Sequence, residues 1–102
     1  MNKMVREEVV DIIRELVDFH MDKLKENYKS FEEAVAKCDL YESLISFSHI
    51  TYHTERVKVA ASQLQEFRGV EGERIWKEAY GINQDATDIA IVVSRNCECK
   101  KR

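Results

Sequence analysis

Proline is absent from the chain, and glycine occurs only at positions 69, 72 and 81. From residue 1 to 68 nothing strongly interrupts the backbone, so the sharpest turns are expected late. Long apolar runs are missing too. None approaches the ~20 residues needed to span a bilayer, which argues against a membrane partner. The N-terminus lacks the basic start, apolar centre and small-residue cleavage site of a secretory signal, and the expected location is cytoplasmic. Cysteine is scarce and odd in number, at 38, 97 and 99. Without a secretory signal that pattern gives no disulfide framework. Cys38 falls within a helical pattern and reads as a small buried hydrophobe.

The motifs of several enzyme classes are also missing. There is no phosphate-cradling glycine loop, no Gly-x-Ser-x-Gly elbow and no dinucleotide fingerprint. The chain is not expected to be an enzyme, and no cofactor is expected.

What remains is a 102-residue chain with 44% hydrophobic and 34% charged residues, the composition of one globular domain and not of a disordered segment. Its formal charge of −3 does not favour nucleic acid as the main partner, because that binding draws on clustered cations.

The segment Val5 to Tyr28 organises the rest. At 100° per residue it carries two adjoining apolar rows. One is Val5, Val9, Ile12, Leu16 and Phe19; the other is Val10, Ile13, Val17, Met21, Leu24 and Tyr28. Together they cover about half the wheel, wider than one core demands. A chain of this length is not expected to cover both rows from within, so a homodimer is expected. The outward side carries an acidic ridge of Glu8, Asp11, Glu15, Asp18 and Asp22.

Further boundaries follow from local signals. Ser30-Phe31-Glu32-Glu33 has the form of a capping box, so the first helix is expected to end near 27–29 and a second to begin there. The run Ile45 to Thr54 is rich in β-branched and aromatic residues and could make a strand. Its helical register with Tyr41 favours helix, with a kink between Ser48 and Thr54. Val57, Ala60, Ala61, Leu64 and Phe67 mark a third helix, stopped at Gly69. A fourth spans Glu71 to Tyr80, ended by Gly81. Ala86, Ile89, Ala90 and Val93 favour a fifth helix from Asp85 to Asn96, although 88–93 is also strand material. The expected architecture is all-α: a compact bundle of four to five helices over residues 1–96, with a basic, cysteine-containing tail at 97–102.

Three functional readings arise. The first is a small non-catalytic protein-interaction module, an adaptor, regulator or inhibitor of a larger protein that it meets through helical surfaces. Its candidate contacts are the acidic ridge (Glu8, Asp11, Glu15, Asp18, Asp22) and the aromatic pair Trp76 and Tyr80. The second is a metal-binding bundle. His49 and His53 at i, i+4 share one side of a helix, and His20 or Cys38 would complete the site. The third is weak nucleic-acid binding through Arg95, Lys100, Lys101 and Arg102.

Overall fold

In a computed structural model the backbone is described for residues 3–96 and the side chains for residues 5–93. Among these residues the chain is all-helical and forms three helices, not four to five: α1 (Lys3–Ala36), α2 (Leu40–Gln65) and α3 (Gly69–Asn96). They run up, down and up along a slender body whose Cα extents are 61 × 17 × 13 Å.

Each boundary that the structure removes was suggested by a local signal worth about 1 kcal/mol, and each gave way to packing. The capping box at Ser30 lies inside α1. The apolar positions Leu24, Tyr28, Phe31 and Val35 keep one face in register across it, and Phe31 and Leu24 are among the largest fully buried side chains. Asn27 donates its side-chain amide to the Lys23 carbonyl at 2.7 Å, satisfied within the helix. Gly81 lies inside α3, because Ala79, Ile82 and Ala86 continue the buried face past it. The 45–54 run is helical without the expected break. Its hydroxyls fold back on the helix: Ser48 Oγ donates to Ile45 O, Thr51 Oγ1 to Phe47 O and Thr54 Oγ1 to Ile50 O. Thr54, at the end of the expected kink, is a buried mid-helix residue.

The first true break, at 37–39, carries no glycine. Cys38 adopts the left-handed conformation (φ 58°). Around it the amide of Asp39 reaches Ala34 O at 2.9 Å and that of Cys38 reaches Val35 O at 3.0 Å, the bonding of a Schellman ending. Asp39 then caps α2, its carboxylate accepting from Glu42 N at 3.0 Å. Cys38 is exposed and disulfide-bonded, which corrects its reading as a small buried hydrophobe. The other cysteines of the chain are Cys97 and Cys99. Titrated with Ellman's reagent, unfolded but unreduced protein should show fewer than three thiols per chain, and three after reduction. Three thiols without reductant would exclude the disulfide.

The core has two parts joined through Ile75. The larger contains Met21, Leu24, Phe31, Ile50, Ala79 and Ala86. The smaller, nearer the α2–α3 turn, contains Val10, Ile13, Val17, Ala60 and Leu64. Polar clasps tie α1 to the α2–α3 turn and to α3. Arg14 grips Glu71 with two bonds of 2.7 and 3.0 Å, Arg68 meets Glu7 at 2.6 Å and Lys25 meets Glu78 at 3.1 Å. These bonds hold Glu7 and Glu71 below the usual carboxylate range. No described helix is long and apolar enough to cross a membrane.

Candidate functional site

The second apolar row of α1 is the core row: Val10, Ile13, Val17, Met21 and Leu24 are buried. The first row is left open. Ile12 keeps 58%, Leu16 47% and Phe19 54% of their surface, and Val5 is exposed beside them. The steps from Val5 through Val9, Ile12 and Leu16 to Phe19 are 4, 3, 4 and 3 residues, the repeat of a coiled-coil seam. α3 does not cover this seam. Its polar contacts with α1 run through Arg14 and Lys25, and Arg14 is two residues from both Ile12 and Leu16 and so roughly 160° round the helix from either.

α2 extends the open face. Tyr52 lies against His20, ring centroids 6.3 Å apart, and Val59, seven residues on, shares its side of the helix. Both are about half exposed. The outer surface of the α1–α2 hairpin is thus an apolar strip two helices wide, whereas its inner surface packs on α3.

At the edge of this strip His20 and His53 meet across the helices, Nδ1 to Nδ1 at 2.9 Å. One ring must donate and the other accept, so the pair holds a single proton between two neutral imidazoles. Phe19 stands edge-on to His20 and Tyr52 edge-on to His53. Burial pushes both histidines below their ordinary 6.5, helped by the charge of Arg56 at His20 and by His20, His49 and Lys23 at His53. In the unfolded chain the same imidazoles take up protons at their ordinary value, so below about pH 6.5 the unfolded state binds more protons than the fold. Stability from the pair is complete above that value and is lost as the pH falls beneath it. Glu7 and Glu71 act in a separate, more acidic window, under their ordinary 4.5. Urea midpoints should therefore drop between about pH 7.5 and 5.5, and His20→Asn should flatten the drop. A wild-type midpoint that stays level over this interval would contradict the shared-proton arrangement.

The other residues singled out in the sequence are dispersed. His49 faces Asn27 Oδ1 at 3.3 Å and does not join the His20–His53 contact. Cys38 sits in the α1–α2 turn, eleven residues before His49 and so roughly 15 Å along the helix, and its sulfur is engaged in the disulfide. Among the described residues no three His, Cys, Asp or Glu side chains are grouped to hold a metal ion. The acidic ridge is exposed along α1. Asp11 lies 3.7 Å from Arg14, and Asp18 and Asp22 border a groove toward α3 that also holds Lys25, Arg74 and Glu78. Trp76 and Tyr80 stack at 5.2 Å, Tyr80 outermost, over a shallow hollow of about 120 Å³ against α2. Side chains from 94 onward, including the cationic tail residues Arg95, Lys100, Lys101 and Arg102, lie outside the described side chains.

Two features escaped the sequence reading. One is the α2 half of the strip, Tyr52 and Val59, whose signal was their seven-residue spacing. The other is an open apolar groove of about 400 Å³ where α1 ends and α2 begins, lined by Phe31, Val35, Leu40, Leu44, Phe47 and Val93. Its signal was the pair Leu40 and Leu44, one helical turn apart and off the row of Tyr41 and Ile45.

Comparison with known protein families, with curated proteins and with solved structures finds no match to this chain.

Proposed function

We propose that the chain is a small non-catalytic protein-interaction module, an adaptor, regulator or inhibitor, that works through the outer surface of its α1–α2 hairpin. One observation carries the reading: a row of large apolar side chains at coiled-coil spacing stays exposed while the neighbouring row of the same helix is buried. A contiguous apolar surface of this kind costs free energy in water and is the ordinary mark of a docking site. The acidic ridge flanks the seam and adds charge selectivity to whatever helix lies on it.

The cytoplasmic location expected from the sequence and the Cys38 disulfide pull in opposite directions, since thiols are kept reduced in the cytosol of most cells. Alkylating thiols in intact cells before lysis decides between them. The interaction itself is tested by a photoreactive amino acid placed at Leu16 in the full chain, expressed in its native cell, with a second placed at Val70 on the far side as control. A defined adduct from position 16 and none from 70 is the expected result. No adduct from 16, or the same adducts from both, would sink the reading.

A further inference from the structure

We infer that the occupant of the open α1–α2 surface is a second copy of this chain, docked seam to seam with the two α1 helices parallel. This rests on the interaction reading above and names its partner. Three observations lead to it.

The first is spacing. The 4-3-4-3 step of Val5, Val9, Ile12, Leu16 and Phe19 fits another helix with the same step, because knobs at this period fall into holes at the same period. α1 itself offers such a helix, and Ile12, Leu16 and Phe19 of the row are exposed to meet it.

The second is charge. One flank of the seam carries Glu8, Glu15 and Asp22, all exposed. Toward α2 the opposite flank carries a cation, Arg56, lying over the Tyr52 ring at 5.2 Å. Lys23, four residues after Phe19, continues the seam row itself and lies over the Phe19 ring, 5.9 Å from its centroid. Lys23 shares its charge with Glu26 at 3.4 Å, which leaves Arg56 the stronger of the two. A two-fold axis along the helices sets the carboxylate flank of each copy against the cationic flank of the other. An axis across the helices would set carboxylates against carboxylates. Charge therefore selects the parallel arrangement, and one surface serves both partners, as a two-fold interface requires.

The third is area. Six half-exposed side chains on the strip (Val5, Ile12, Leu16, Phe19, Tyr52 and Val59) leave on the order of 80 Å² each in water. Two copies would together bury roughly 1,000 Å² of apolar surface before the polar flanks are counted, within reach of a specific interface. The acidic and basic rims then exclude water from the seam.

The test is sedimentation equilibrium of the full chain, with a non-reducing gel to exclude disulfide-linked pairs. The wild type should weigh 24 kDa, twice the 12.0 kDa chain, at micromolar concentration. Leu16→Glu places a carboxylate in the centre of the seam and should weaken association at least 100-fold with unchanged helical circular dichroism. Val70→Glu, at a residue 85% exposed on the other side of the molecule, should leave the dimer intact. Arg56→Glu should weaken association about tenfold, and adding Glu15→Arg should restore it by reversing the pair. A wild type of 12.0 kDa at ~200 µM, or a Leu16→Glu variant that remains 24 kDa, would overturn the proposal. Failure of the Glu15→Arg rescue would overturn the parallel arrangement. Should the wild type be a monomer whose position 16 still cross-links to another protein in cells, self-docking falls while the interaction reading stands.

Discussion

Gly72→Ala should destabilise the protein by about 2 kcal/mol, although alanine is the better helix former. Gly72 lies inside α3 where that helix crosses α2. A Cβ built there would stand 2.7 Å from the carbonyl oxygen of Ala61, 2.8 Å from the amide nitrogen of Gln65 and 2.9 Å from its Cα. All three are backbone atoms, so no side chain can swing aside and the two helices must part. Helix propensity returns about 1 kcal/mol, and the overpacking costs more than that. Gly81→Ala is the matching control. It lies in the same helix with nothing within 4 Å of the added carbon, and it should gain about 0.5–1 kcal/mol. Urea unfolding of the two variants beside the wild type should thus give shifts of opposite sign. A Gly72→Ala midpoint at or above wild type would mean that the helices do not approach this closely.

Leu24→Ala should lose about 3–4 kcal/mol, a large part of the ~5–15 kcal/mol that holds a domain of this size. Leu24 is completely buried in the larger core cluster with Phe31 and Ile50, and removing its branch leaves a cavity that rigid helices cannot close. Leu16→Ala is the same change two turns earlier on the same helix. Leu16 keeps half its surface in water and lies on the open strip, so the folded monomer should lose less than about 1 kcal/mol. Unfolding midpoints at protein concentrations below any dimer formation separate the two. Equal losses would mean that the seam of α1 is covered within the chain.

The same contrast marks the limit of what could be read from residues alone. Val5, Ile12, Leu16 and Phe19 are as apolar as Val10, Ile13, Val17 and Leu24. Wheel position shows that two rows exist, but which one is buried depends on where α2 and α3 land. The His20–His53 contact was hidden for a related reason. Helical spacing relates residues three, four or seven apart, and these histidines belong to different helices, so the visible pair was His49 and His53. His49 then found Asn27 instead. Gly72 is a further case. Its place inside a helix was legible, but its close approach to the α2 backbone was not, because nothing local distinguishes a glycine that a neighbouring helix requires from one that it does not.

The sequence by itself determined the class of the fold, because a chain without proline and with a 3.6-residue apolar period has little alternative to helices. It also determined that α1 presents more apolar surface than one core requires. Where the helices end, which row faces water, that Cys38 turns the chain instead of filling the core, and that two histidines share a proton were decided only by tertiary structure. A capping box or an isolated glycine weighs about 1 kcal/mol, whereas a continuous buried face such as Leu24, Phe31, Ala79 and Ala86 weighs several times that. Packing therefore set the boundaries that local signals proposed.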